Sequence, residues 1–144
     1  MKKERISFLK TSKVNSLGQW LVTQGISAGF PSPADDFKEI RISLDEELVN
    51  NKEATFYARV SGNSMEDAGI SDGDLLVIDR SLEPKNNKIA VCFLDGDFTV
   101  KRIHKEGRKL YLRPENKKYK DIKKNEENEL IIWGIVTYVI KKFS

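Results

Sequence analysis

The chain has 144 residues, 39% hydrophobic and 33% charged, with one cysteine and a net charge of +3. That length is one domain's worth and buries about two-thirds of the surface the unfolded chain exposes. The composition excludes a disordered chain, no run approaches the roughly 20 apolar residues of a membrane helix, and Cys92 alone allows no internal disulfide. A cytoplasmic setting is expected. The charge is uneven: residues 1–28 hold five basic residues and one acidic, or +4, and the other 116 sum to −1. Little direct DNA binding is therefore expected of the body, and the basic arm reads first as a solvated tail.

The first residues, M-K-K-E-R-I-S-F-L-K, lack the apolar run of a signal peptide. Up to residue 30 the apolar residues keep no clean period. A short helix over Ser16–Thr23 is the expectation there, opposed by Gly18 and Gly25. F-P-S-P-A-D-D, residues 30–36, is a linker, because Pro31 and Pro33 hold themselves and their predecessors extended. Ser43-Leu44-Asp45-Glu46 fits a capping box and predicts a helix to about Asn51. Strand signals follow at Ala54–Val60, Asp74–Asp79 and Lys88–Leu94. Asp95-Gly96 is a tight-turn pair, so Lys88–Leu94 and Phe98–His104 form a hairpin. Glu106-Gly107 turns the chain into Lys109–Leu112. Residues 117–129 are a polar connection. Leu130–Lys142 is long and apolar, with Gly134 as a bulge or bend. The expected fold is a mostly-β domain of short antiparallel strands and hairpins, preceded by a flexible N-terminal arm.

Chemistry-bearing residues are few. His104 is the one histidine and reads as a solvated strand-end side chain. One His and one Cys make no zinc site, and no phosphate-cradling glycine motif occurs. Asp72-Gly73-Asp74 and Asp95-Gly96-Asp97 read as turns, since the rest of a calcium loop is missing. Cys92 reads as core. No cofactor is expected. Ser61-Gly62-Asn63-Ser64-Met65 puts a serine after a tight turn, as a nucleophile requires, although plain turns share that pattern. Met65 would pack beneath it. In Phe98–Ile103 alternation puts Thr99, Lys101 and Ile103 on one face and Phe98, Val100 and Arg102 on the other. One of the two cations must lie near the apolar side. Lysine, unlike arginine, can act as a base when neutral. From pattern alone the plainer reading of Lys101 is a solvated hairpin edge.

V-S-G-N-S-M-E-D-A-G-I-S-D-G-D-L-L-V-I-D, D-G-D-F-T-V-K-R and L-R-P-E-N, in this order after F-P-S-P-A-D-D, resemble the self-cleaving LexA/UmuD family over roughly residues 28–140. Serine and lysine stand 37 residues apart, as that family requires. The resemblance implies a LexA/signal-peptidase-like β-domain over 29–144 and an arm, 1–28, removed by self-cleavage. It implies Ser64 as nucleophile, Lys101 as general base and the Met65 backbone N–H as oxyanion donor. The cleaved bond would be Ala28-Gly29, with Ile26 anchoring the extended segment. Arg102 stands where a second lysine is often found and is not expected to matter. The resemblance further implies a homodimer, activation by a RecA filament on single-stranded DNA, and a trimmed form that joins a UmuC-like Y-family polymerase in the SOS DNA-damage response. A LexA-like regulator of transcription is the alternative; a signal peptidase would need a membrane anchor, and the sequence shows none.

Overall fold

A computed structural model describes residues 5–10, 19–22, 39–123 and 129–144, with side chains from Ile42 onward. The chain divides into two units, residues 12–50 and residues 1–11 with 51–144. In the smaller unit β2 (Gln19–Val22) pairs antiparallel with β3 (Glu39–Ile42), Gln19 opposite Ile42. The helix expected over Ser16–Thr23 is therefore a strand at Gln19–Val22. The Trp-Leu-Val run suits a pleated strand better than a helix, and β3 supplies the backbone partners that a local pattern cannot reveal. The helix α1 covers Leu44–Leu48, shorter than expected. Ser43 stands at its N-cap, yet its side chain makes no cap bond. Backbone bonds from Glu47 N–H to Ser43 C=O (3.0 Å) and from Val49 N–H to Asp45 C=O (2.9 Å) close its turns instead.

The larger unit is one eight-stranded antiparallel sheet. Its strands are β1 (Arg5–Lys10), β4 (Thr55–Ser61), β5 (Leu75–Asp79), β6 (Ile89–Leu94), β7 (Asp97–Glu106), β8 (Lys109–Arg113), β9 (Ile122–Lys123) and β10 (Leu130–Ile140). They lie in the order β1-β4-β5-β10-β6-β7-β8-β9. The predicted hairpin is present: Leu94 pairs with Asp97, and Asp95 and Gly96 both have positive φ, 47° and 89°. Two positive φ angles in a two-residue loop give the turn whose twist matches its strands. The second hairpin, β7 to β8, turns at Gly107. Within the polar connection, β9 adds two residues beside β8.

Successive strand residues face opposite ways, so β6 and β7 carry a core on each side. Val91 and Val100 join Ala58, Val60, Met65, Leu76 and Ile78 in one cluster. Ala90, Cys92 and Ile103 join Leu112, Leu130 and Ile135 in the other. The central strand β10 is irregular twice, between Ile132 and Gly134 against β6 and between Val136 and Tyr138 against β5. Bulges of this kind bend a strand and increase its twist. Gly134 sits at the first, and a side chain there has no room: an ideal Cβ would lie 2.6 Å from Ile78 Cγ2 and 3.2 Å from Arg80 Cγ. Gly134→Ala is expected to destabilise the fold by about 1–3 kcal/mol through overpacking, read as a lower urea midpoint with unchanged slope.

Candidate active site

The site begins where β4 ends. Ser61 closes the strand, and Gly62 turns the chain with φ 110°, a conformation that glycine adopts without strain. The Gly62 N–H donates to Asp72 Oδ1 at 2.9 Å. Asp72 and Asp74 thus serve the turn: Ser71 N–H donates to Asp74 Oδ2 at 2.7 Å, and Lys141 is ion-paired with the same carboxylate. Asn63 is held by its backbone and its side chain. Its carbonyl accepts from Asn116 Nδ2 and its Oδ1 accepts from the Tyr119 hydroxyl, each at 2.7 Å. Met65 is buried, and its carbonyl accepts from Ala68 N–H (3.0 Å) and Ile70 N–H (3.1 Å), starting the 3-10 turn Glu66–Ala68. The Glu115 N–H points at Met65 Sδ, 3.3 Å away, and the Glu115 carbonyl accepts from Asp67 N–H at 2.7 Å.

Ser64 therefore stands on a turn tied down on every side, and only 4% of its surface is exposed. Lys101 reaches it from β7 and is itself 5% exposed. Lys101 Nζ donates to Ser64 Oγ at 2.9 Å, to Thr99 Oγ1 at 2.6 Å and to the Val100 carbonyl at 3.0 Å. Lys101 occupies the same face as Ala90, Cys92 and Ile103, which explains why its stem is buried. A buried cation needs hydrogen-bond partners, and these acceptors provide them. A hydroxyl and an amine in contact and shielded from water can pass a proton between them.

Sequence reasoning put Thr99 on the face of Lys101 without naming it as an acceptor, and it missed Asn116 and Tyr119, which hold Asn63. L-R-P-E-N was visible as a motif, but its role, holding a turn some 50 residues earlier, has no local signal. Arg102 also contributes here. It is ion-paired with Glu115 and donates from Nη1 to the Asn87 carbonyl at 2.6 Å. His104 is elsewhere, paired with Glu106 at 3.0 Å. That hydrogen bond holds the Glu106 carboxyl below its ordinary range. Ile26, Ala28 and Gly29 lie outside the described residues. Among the described residues no group of His, Cys, Asp and Glu could hold a metal, and no helix is long and apolar enough to cross a membrane.

Residues 21–137 match the family described as peptidase S24-like. The chain belongs to that family. The peptidase S24 domain thus spans the turn of Ser64, the strand of Lys101 and the L-R-P-E-N segment. Relatives include Protein MucA of Salmonella typhimurium, 44% identical over 128 residues, which are 88% of this chain and 86% of that one. Protein ImpA of Shigella flexneri is 41% identical, covering 80% and 78%. The LexA repressor of Alteromonas mediterranea is 39% identical over 81% of this chain but 56% of its own length. Membership of the S24 family fits the mostly antiparallel β architecture.

Two measurements probe this site without reference to activity. Burial pushes the Cys92 thiol up to about 12 from 9.0, and the nearby Lys101 charge pulls in the opposite direction. The unfolded chain therefore releases this proton first, so Cys92 increasingly disfavours the fold as pH rises from 9 toward 12. Iodoacetamide at pH 8 is expected to leave native Cys92 unmodified and to label it fully in urea, read by intact mass. Tyr119→Phe removes the donor to Asn63 Oδ1 and is expected to cost about 1 kcal/mol, measured by urea unfolding.

Proposed function

We propose that the chain is a serine endopeptidase that cuts itself at Ala28-Gly29, with Ser64 as nucleophile and Lys101 as general base. The observation that carries this reading is the 2.9 Å contact between Lys101 Nζ and Ser64 Oγ, with both residues almost wholly out of water. An ammonium has three N–H donors, and Thr99, Val100 and Ser64 accept them. After loss of one proton the amine keeps two donors for Thr99 and Val100. Its lone pair then faces the Ser64 hydroxyl.

The neutral amine takes the hydroxyl proton, and Ser64 Oγ bonds to the Ala28 carbonyl carbon. The Met65 N–H donates to the oxyanion. Lys101 returns the proton to the Gly29 nitrogen as the peptide bond breaks. Water, deprotonated by the same amine, then hydrolyses the ester and frees Ser64. Small residues at the bond let the backbone approach a recessed hydroxyl, and Ile26 anchors the segment as an added strand.

Similarity to MucA, ImpA and LexA supports a place in the SOS response. The trimmed chain would be a homodimeric accessory subunit of a UmuC-like Y-family polymerase, and a RecA filament on single-stranded DNA would promote the cut. Loss of the arm removes +4 and leaves −1, which changes the charge offered to partners. The similarity to a LexA repressor favours a second reading, a regulator of transcription. Co-purification with a Y-family polymerase supports the first; operator binding supports the second.

On incubation at mildly alkaline pH, mass spectrometry is expected to show a fragment beginning at Gly29. Ser64→Ala and Lys101→Ala proteins should yield none; the same fragment from either would overturn the mechanism.

A further inference from the structure

Strand β1 lines the strand that leads to the nucleophile. It pairs with the full length of β4, from Arg5 opposite Ser61 to Lys10 opposite Phe56. The other edge of β4 is taken by β5, with Thr55 opposite Asp79 through Arg59 opposite Leu75. Both edges of β4 are thus filled. β1 also comes within 8 Å of β7, Cα to Cα, although the two lie far apart in the sheet order. β4 runs into the Ser64 turn and β7 carries Lys101. β1 therefore lies beside the strand that leads to the nucleophile and near the strand that bears the amine.

A peptide bond presented to Ser64 needs an extended backbone on either side of it, and extended segments bind by adding to a sheet edge. β5 is tied into the sheet by β10 on its far side, whereas β1 is the terminal strand. The pairing of β1 ends at Ser61, three residues before Ser64. The β5 register stops two residues earlier, at Arg59, so β1 runs further along β4 toward the nucleophile. The 25 residues between Gly29 and Thr55, where β4 begins, span at most roughly 85 Å, so the chain is long enough to bring Ile26–Gly29 to that same edge once β1 has left.

We infer that β1 is a placeholder on the edge of β4, and that self-cleavage begins when β1 leaves and the segment around Ala28-Gly29 takes its position. This rests on the self-cleavage reading above. The observed rate is then the rate of the open form multiplied by its population. Whatever holds β1 on β4 slows cleavage, and whatever loosens it speeds cleavage.

Ser7→Pro with Phe8→Pro tests the loosening. In an edge strand one of two consecutive residues points its N–H at the neighbouring strand, so the pair removes at least one ladder bond. Losing one such bond should raise the rate of appearance of the Gly29 fragment about fivefold or more. Ser7→Cys with Arg59→Cys tests the reverse, since these residues are register partners. Directly opposed strand residues are close enough for a disulfide, and Cys92 is buried away from the reaction. The oxidised protein should stop cleaving, and reductant should restore the parent rate. Parent cleavage with no acceleration in the proline variant, or undiminished cleavage in the oxidised one, overturns the placeholder and leaves the self-cleavage reading standing. Absence of cleavage in every form, the reduced protein included, overturns both.

Discussion

The structure depends on one constraint: the end of β4 and the middle of β7 must meet, although β5, β10 and β6 separate them in the sheet. A flat sheet at about 4.8 Å per strand would hold them nearly 20 Å apart. They meet because the sheet coils. The two irregularities of β10 supply the bend at its centre, and Gly134 lets that bend close on Ile78. The contact between Lys101 and Ser64 is thus set by the curvature of a whole sheet.

The same contact explains a second feature. A lysine pulled into a dry site must be given acceptors, and each acceptor must itself be held still. Thr99 and Val100 precede Lys101 on the same strand and are held by the β6–β7 ladder. Ser64 is on a turn, so its position comes from elsewhere: Asp72 behind Gly62, Asn116 and Tyr119 on Asn63, and Glu115 against Met65. Arg102, one residue past Lys101, grips Glu115. Neighbouring residues of β7 therefore hold both halves of the site, one through the amine and one through the segment that clamps the turn.

If the chain cleaves itself as proposed, such rigidity requires control over access. A preformed pair of this kind would act on whatever extended segment reached it. Here the edge of β4 beside the site carries a strand of the protein's own N-terminal residues. Under the proposed self-cleavage, residues 5–10 would belong both to the arm and to the sheet that carries the site.

The sequence by itself determined the strand pattern, the turns and the two signature segments. Asp95-Gly96 and Gly134 were legible because tight turns and bulges depend on a few adjacent residues. Ser64 was singled out by its turn and, together with Lys101, by resemblance; alternation alone allowed either Lys101 or Arg102 to face inward. The strand at Gln19–Val22 was misread because its partner is about 20 residues away. Tertiary structure alone decided that Lys101 is the drier cation, that Asn116 and Tyr119 hold the turn, and that β1 lines β4. Propensity and periodicity act over a few residues, whereas burial and strand partnership are set by segments roughly 50 residues apart along the chain.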